Sequence, residues 1–486
     1  MPANDNVIST TSVWRNQVMS FWSKIFRKQD VHTAVLADHQ LARTMTTRDL
    51  IALGIGAVIG TGIFILPGTV AATTAGPGIA ISFILAAVVC SLAAMCYAEF
   101  SSSLPIAGSA YAYGNIVFGQ IIGWIIGWAL ILEYMLAVAS VSTGFAGYFS
   151  SLLSGFGIHL PRAISGAFDP AHGTYINLVA IIVVLIVGLM LSRGMQTSMV
   201  VSRTMVLIKI AIIILFVGVG LFFIRPVNWH PYMPFGFKGV LGGASTVFFA
   251  YLGFDAVSAS APEVKKPQHT LPRGIIGTLI IATILYVAVA VVLTGMVKYT
   301  RLDVANPVSF ALQVVHQPQL AGIIAIGAMA GMFTMMLTMV YSSSRLVYAI
   351  GRDGLLPRWF GHVRNQLPNN SLWVVTTIIA VMGGFIPLDQ LVNLVNIGTL
   401  IAFAFVSIGI IPLRRHGDIH NTGFRVPGYP VVPVLSFIFC LVFMSQLSKE
   451  TWMMSGIWFA LGLVIYFTYG YRHGQLPTPQ SPQRDQ

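Results

Sequence analysis

The amino-acid sequence predicts an all-α membrane protein with twelve transmembrane helices, and three observations support this prediction. The first is composition: 56% of the 486 residues are hydrophobic and 9% are charged, whereas about a quarter of the residues of a soluble domain are charged. The second is the division of the chain into twelve apolar spans. The third is the placement of the basic residues along the chain.

Twelve apolar spans result when the chain is cut at its charges and at its Gly and Pro breaks. Five spans lie within residues 49–224, five within residues 239–413, and two more within residues 428–473. The remaining segments, residues 1–48 and 474–486, are predicted to be terminal tails. Residues 1–48 are polar and lack the apolar core and the cleavage site of a signal peptide.

The basic residues predict the orientation of these spans. Of the 27 Lys and Arg residues, 20 fall on the side of the two termini, 6 fall on the opposite side and 1 lies inside a span. Such an excess marks the cytoplasmic side of a membrane protein. Both tails are therefore expected in the cytoplasm, and the net charge of +12 reflects topology rather than binding to nucleic acid.

The two blocks of five spans are predicted to form an inverted repeat. They have nearly the same length, and each begins with a span that small residues interrupt. Because five is an odd number, the two blocks must cross the membrane in opposite directions. This pattern is typical of secondary transporters, whose substrate binds near the bilayer midplane between two broken helices. Helices 11 and 12 would lie outside the repeat.

The first span has the sequence I-A-L-G-I-G-A-V-I-G-T-G-I-F-I-L over Ile51–Leu66. Each Gly inside a helix costs about 1 kcal/mol relative to Ala, so this helix is expected to break. The N–H groups around Ile59–Gly62, including that of Thr61, would then favour a carboxylate. The alternative is a close-packing face, because Gly56 and Gly60 have G-x-x-x-G spacing.

The sixth span contains F-F-A-Y-L-G-F-D-A-V-S, which again mixes bulky and small residues. A break here would place a second set of free backbone groups beside the first. The carbonyl groups of Val58, Phe249, Ala250 and Leu252 would then accept hydrogen bonds from an ammonium group. Together, the two breaks are predicted to recognise a zwitterion.

Three ionisable residues within the spans are candidates for proton coupling. Lys209 is the one basic residue well inside a span, and the alternative is a lysine that snorkels to the cytoplasmic surface. Glu133 is the deepest carboxylate. Asp255 follows the predicted break in span 6, where a helix cap is an equally favoured role. Glu99, near the cytoplasmic end of span 2, is interpreted as an interfacial or gating residue.

The sequence disfavours several other classes of protein. It has no H-E-x-x-H motif and no Walker-A loop, and none of its eleven histidines falls within a predicted span. We therefore expect no metal, no cofactor and no enzymatic activity. A membrane sensor that signals to a cytoplasmic partner is a weaker alternative, because the tails are short.

Three motifs in order resemble the amino acid–polyamine–organocation (APC) superfamily. They are G-I-G-A-V-I-G-T-G-I-F, F-F-A-Y-L-G-F-D-A-V-S followed by P-E-V-K-K-P, and Y-S-S-S-R-L-V-Y-A-I-G-R-D-G-L-L-P. The more specific resemblance is to the bacterial cationic amino acid transporter (CAT) subfamily, over about residues 45–473. It implies the LeuT-like fold, a five-plus-five inverted repeat with helices 1 and 6 unwound, and a location in the bacterial cytoplasmic (inner) membrane.

The resemblance also implies roles for individual residues. Thr61 and Gly62 would receive the substrate carboxylate, while the four carbonyl groups named above would hold its ammonium group. Lys209 stands where sodium-coupled relatives place a cation, which implies coupling to protons. Glu133 matches a family carboxylate on helix 3. Met339 on helix 8 would line the side-chain pocket, where its bulk would favour a small or medium side chain.

The sequence thus predicts a secondary active transporter that imports amino acids by proton symport with alternating access. The expected partners are the amino acid substrate, protons and membrane lipid. An exchanger of amino acids or polyamines is the alternative within transport, and in that case Lys209 would be structural. The sequence predicts neither which amino acid is carried nor the oligomeric state.

Overall fold

The fold was analysed in a computed structural model. The residues that it describes are 25–29, 45–104, 106, 109–193, 199–261, 264–362, 368–415 and 423–474. Most of the predicted N-terminal tail and nearly all of the predicted C-terminal tail lie outside these ranges. The described part of the chain is built from helices, and its β-contacts are three isolated bridges.

The first half of the chain forms eight α-helices within the described ranges. They are α1 (Thr47–Val58), α2 (Thr61–Phe64), α3 (Leu66–Val70), α4 (Ile79–Ser103), α5 (Ser109–Val117), α6 (Gln120–Gly155), α7 (Leu178–Ser192) and α8 (Met199–Gly220). The second half adds ten more. They are α9 (Gly236–Val247), α10 (Asp255–Ala259), α11 (Pro267–Met296), α12 (Pro307–Val314), α13 (Pro318–Arg352), α14 (Asn369–Phe385), α15 (Leu388–Arg415), α16 (Val431–Ser445), α17 (Lys449–Ile465) and α18 (Tyr471–His473).

Seven helical stretches in the described residues are long and apolar enough to cross a membrane. They are Leu66–Ser103, Gln120–Gly155, Thr204–Phe223, Pro267–Met296, Pro318–Arg352, Leu388–Arg415 and Lys449–His473. The helices α7, α14 and α16 are also apolar but shorter. These lengths agree with the integral membrane protein that the composition predicts.

The first predicted span is interrupted after α1. This helix begins at a capping interaction in which the Asp49 carboxylate accepts a hydrogen bond of 2.9 Å from the backbone N–H of Thr46. It ends at Val58, and the next residue, Ile59, has an extended backbone (φ −79°, ψ 102°). Helical geometry resumes at Thr61, the first residue of α2. The glycine-rich segment therefore breaks where the sequence predicts.

The sixth span is also interrupted. After α9, the residues Phe248–Tyr251 form a 3₁₀ turn and Leu252 is extended (φ −65°, ψ 149°). Gly253 has a φ of +104°. Residues with a side chain rarely adopt such an angle, whereas Gly adopts it freely. The short helix α10 then begins at Asp255. One glycine thus permits the turn between the two helical halves.

Both interruptions lie in the interior of the helix bundle. The long helix α6 is the most buried of the candidate spans, and it packs against α13 and α15. On the other side of the interruptions, α11 packs against α1 and α4. The turn Phe248–Tyr251 contacts α2 directly. The two broken segments are therefore enclosed by long helices.

Candidate binding site

The two interruptions touch each other. A Cβ atom at Gly62 would lie only 2.5 Å from the Cα of Ala250, so Gly62 is what allows this approach. A Cβ atom at Gly253 would lie 3.0 Å from the carbonyl oxygen of Ala57 in α1. These two glycines therefore permit the close approach of the two interruptions, and the alternative of a close-packing face at Gly56 and Gly60 stays a prediction.

The eight residues predicted to bind substrate are brought together around this contact. Each is buried, and the seven other than Gly62 have at most 3% of their surface exposed. These residues are Val58, Ile59, Thr61, Gly62, Phe249, Ala250, Leu252 and Met339. They therefore share one location in the bundle.

One side of the contact presents hydrogen-bond donors. The first residues of α2 are Thr61 and Gly62, and the first N–H groups of a helix have no acceptor within that helix. The Thr61 hydroxyl points to α13 and donates to the sulfur of Met332 at 3.9 Å, a weak interaction because thioether sulfur is a poor acceptor.

The other side presents carbonyl groups, and the hydroxyl group of one tyrosine lies within hydrogen-bonding distance of two of them. The Tyr286 hydroxyl of α11 lies 2.7 Å from the carbonyl oxygen of Ala250 and 3.2 Å from that of Val58. It therefore bridges the two interruptions. The sequence analysis missed Tyr286, since a tyrosine in an apolar span is usually ordinary core.

Lys209 lies beside the first interruption. Its ammonium group donates to the carbonyl oxygens of Gly56 at 3.0 Å and Ile59 at 3.1 Å. Only 1% of its surface is exposed, so it does not snorkel to the surface. Gly331 of α13 makes room for it, because a Cβ atom there would lie 3.1 Å from the Lys209 side chain. No carboxylate among the described residues forms an ion pair with it.

Three methionines of α13 contact the interruptions, of which the sequence analysis singled out one. A Cβ atom at Gly60 would lie 2.5 Å from the Met335 sulfur, and one at Gly253 would lie 2.8 Å from the terminal methyl group of Met339. With Met332 against Thr61, thioether side chains fill the space beside both breaks. Methionine is flexible enough to rearrange around another apolar group.

Glu133 and Asp255 are buried near each other, around the start of α10. They interact electrostatically, and the Tyr134 hydroxyl donates to the Asp255 carboxylate. Asp255 is the first residue of α10 and Phe254 holds the N-cap position, so the choice between a cap and a proton relay stays a prediction.

Glu99 joins three parts of the bundle. Its carboxylate accepts hydrogen bonds from the Arg414 guanidinium at 2.7 and 2.8 Å and from the backbone N–H of Val426 at 2.6 Å. These contacts link α4, α15 and the segment before α16. Arg414 also lies over the ring of Tyr429 at 4.2 Å. Glu99 is 1% exposed, so these contacts enclose its carboxylate, and its interfacial or gating role stays a prediction.

Comparison with known proteins places these features in a family context. A family model described as amino acid permease matches residues 45–471. The methylthioribose transporter of Bacillus subtilis is 49% identical over 458 residues, which are 93% of this chain and 99% of that protein. The branched-chain amino acid permease of the same species is 45% identical over 460 residues, again 93% and 99%.

A more distant relative has a different substrate in its name. The vacuolar cationic amino acid transporter 4 of Arabidopsis thaliana is 35% identical over 384 residues, which are 77% of this chain and 64% of that protein. The named relatives are permeases and transporters rather than enzymes.

Proposed function

Since the chain belongs to the amino acid permease family, we propose that it is a secondary active transporter that imports a neutral amino acid with a proton. It would work by alternating access in the bacterial inner membrane, with both termini in the cytoplasm. Twelve spans would come from seven long helical stretches, the shorter α7, α14 and α16, and the two interrupted helices α1–α2 and α9–α10. The two blocks of five would form the LeuT-like repeat.

The observation that carries the proposal is the contact between the two interruptions. It sets the N–H groups at the start of α2 beside the carbonyl groups of Val58 and Ala250. A carboxylate is stabilised by the former and an ammonium group by the latter. An α-amino acid carries both groups on adjacent atoms, so it would fit where the interruptions meet.

The proton would act through Lys209. Its hydrogen bonds hold the carbonyl oxygen of Gly56 in the last turn of α1 and that of Ile59, the residue that follows α1. Hydrogen bonds to a charged donor are roughly twice as strong as those between neutral groups. Loss of the proton would therefore weaken the hold on the end of α1 and favour movement of the first interruption. Glu133 and Asp255 would take part in later proton steps.

The methionines of α13 favour a neutral, apolar side chain. Met335 and Met339 lie against the backbone of the two interruptions, where a substrate side chain would project. Burying a cation among thioethers and aliphatic groups would leave it unpaired, at a large cost in free energy. The branched-chain permease among the relatives fits this preference, so we propose leucine, isoleucine and valine as substrates.

A second candidate substrate is methylthioribose, because a transporter named for it is 49% identical. Its methylthio group would suit the methionines, but a neutral sugar has no carboxylate or ammonium group for the two backbone sites. Competition decides between the two substrates. Excess methylthioribose should leave leucine uptake unchanged if amino acids are the cargo, and should abolish it if the sugar binds more tightly at the same site.

The test of the coupling is uptake into proteoliposomes. Wild-type protein should concentrate labelled leucine when the outside is made acidic, and Lys209→Ala should only equilibrate it. Lys238→Ala changes an exposed lysine of α9 and should behave as wild type. Sodium-driven uptake, or accumulation by Lys209→Ala, would contradict proton symport. Exchange of internal for external leucine without response to a gradient would favour the exchanger.

A further inference from the structure

A buried polar cluster surrounds α10, on the far side of Gly253 from the methionines. Its members come from four different helices, and each has at most 4% of its surface exposed. We call it the α10 cluster. It consists of Tyr97 on α4, Ser109 and Tyr113 on α5, Glu133 and Tyr134 on α6, and Asp255 and Ser258 on α10.

Part of the α10 cluster is joined by direct hydrogen bonds. The Tyr134 hydroxyl donates to the carboxylate of Asp255. The hydroxyl groups of Ser109 and Ser258 lie 3.0 Å apart, and Ser258 also donates to the backbone carbonyl of Asp255 at 2.6 Å. A connected set of polar groups therefore runs along α10 to the beginning of α5.

Other polar atoms of the α10 cluster have no partner. Within the described residues, no hydrogen bond is made by the hydroxyl group of Tyr97 or by one carboxylate oxygen, Oε2, of Glu133, and the Tyr113 hydroxyl group, which faces Ser258, makes none of normal geometry. Both tyrosines interact electrostatically with Asp255, and Tyr97 also with Glu133. Cys440 on α16 is a further titratable group facing Tyr97. The unpartnered atoms thus converge on the same carboxyl groups.

Unpartnered buried polar atoms call for water. An unsatisfied buried hydroxyl group destabilises the folded state, and buried water molecules typically satisfy such groups with about three hydrogen bonds each. Three unsatisfied oxygen atoms around two carboxyl groups supply enough partners. An empty, dry space lined by these atoms would be much less stable than a hydrated one.

We infer that the α10 cluster holds bound water, and that Tyr97 and Tyr113 relay the transported proton between Glu133 and the Ser109–Ser258 end. The relay rests on the proposed proton symport. Each hydroxyl group accepts one proton from a neighbouring water and releases its own to the next, so none keeps a net charge. Glu133 gives up the proton, and water beyond Ser109 takes it. The sequence predicts that the end of α4 and the start of α5, where Ser109 lies, are on the cytoplasmic side.

The relay is tested with variants that remove one hydroxyl group, Tyr97→Phe and Tyr113→Phe. Uptake driven by an acidic exterior should fall about five- to tenfold, as loss of one hydrogen bond of about 1 kcal/mol predicts. Leucine counterflow should stay at the wild-type rate, because exchange moves the loaded carrier without releasing the proton. If both variants take up leucine as fast as wild type when the exterior is acidic, the relay is overturned.

Tyr466→Phe is a matched control. Tyr466 is also fully buried, and its hydroxyl group has no partner in the described part of the chain. Its ring packs against Trp124, which is not a member of the α10 cluster. Its driven uptake should equal that of wild type. A similar fall in Tyr466→Phe would show that any lost phenol slows transport, and would overturn the specific role of Tyr97 and Tyr113.

A thermal measurement tests the bound water independently of transport. If water bonds to the Tyr97 hydroxyl, Tyr97→Phe loses a hydrogen bond and its unfolding midpoint falls. If the space is dry, the variant loses an unsatisfied group and its midpoint rises. A rise would overturn the inference. Failure of wild type to respond to a pH gradient would instead reject proton symport and the relay, while the midpoint would still decide whether water is bound.

Discussion

Gly62 is the residue at which a single methyl group should matter most. Its hydrogen atom faces the backbone of Ala250, and a Cβ atom would approach the Cα to 2.5 Å. Backbone atoms lie on both sides of this contact, and they cannot move aside as the end of a flexible side chain can. We expect Gly62→Ala to push the interruptions apart, to destabilise the protein by about 1–3 kcal/mol and to abolish leucine uptake.

Thermal unfolding and uptake of Gly62→Ala should be measured beside Gly322→Ala. Gly322 lies in α13, and a Cβ atom there would meet nothing within 4 Å. That control should transport normally and should be no less stable, since Ala favours a helix over Gly by about 1 kcal/mol. Normal uptake by Gly62→Ala would show that close approach of the interruptions is dispensable.

Tyr286 gives a second prediction at the same scale. Its hydroxyl group satisfies the Ala250 carbonyl, which an ammonium group would use. In Tyr286→Phe that carbonyl is left unsatisfied without ligand, at a cost of about 1–3 kcal/mol. Bound leucine would satisfy it again, so the rise in unfolding midpoint on adding leucine should be larger than in wild type.

The control for Tyr286→Phe is Tyr251→Phe, because the Tyr251 hydroxyl donates to the Phe83 carbonyl in α4 at 2.9 Å. It should lose similar stability without gaining a larger leucine response. Equal responses in the two variants would show that the phenol of Tyr286 and the ligand do not share an acceptor.

Which of these residues could be predicted depends on how unusual each one is in its span. A lysine or carboxylate in an apolar span is costly, so Lys209, Glu133 and Asp255 stand out in the sequence. Tyr286 and Met335 do not, since tyrosine and methionine are common in helix cores. Their importance comes from neighbours distant in sequence, which only the fold brings together.

Among the elements, the two interrupted helices were predictable to different degrees. Four glycines within Ile51–Leu66 weaken α1 directly, and the break occurs among them. The second break depends on a 3₁₀ turn through the bulky residues Phe248–Tyr251 before Gly253. No local propensity marks that turn, because its geometry is held by packing against α2, α4 and α9.

The contact of Glu99 with α15 makes a prediction about how elements are joined. Glu99→Gln would keep the size of the side chain but leave the Arg414 guanidinium without its carboxylate. Breaking one partner of a buried pair is strongly destabilising, although partial exposure of Arg414 (24%) moderates the cost. We expect a loss of about 1–3 kcal/mol, measured as a lower unfolding midpoint.

A suitable control is Glu450→Gln, which neutralises an exposed carboxylate at the start of α17. Its midpoint should stay close to that of wild type, since exposed charges contribute little to stability. Equal midpoints for Glu99→Gln and wild type would mean that α4 and α15 are held together by apolar packing alone.

For the whole molecule, composition alone was enough to predict a membrane protein, and three motifs were enough to predict the family, which the match over residues 45–471 confirms. The twelve-span count and the inverted repeat remain predictions, because span lengths do not define membrane boundaries. Substrate choice was not predictable from the sequence. We propose that it depends on which side chains of α13 meet the interruptions.

Substrate choice is therefore tested on the whole protein by ligand-induced stabilisation. A ligand that binds only the folded state at about 100 times its dissociation constant adds about 2.7 kcal/mol to stability. Leucine, isoleucine and valine should raise the unfolding midpoint of the purified protein. Arginine and lysine should not, because a cation beside Met335 and Met339 would lie without a partner. Stabilisation by arginine but not by leucine would reverse the assignment to neutral amino acids, and stabilisation by methylthioribose alone would favour the sugar.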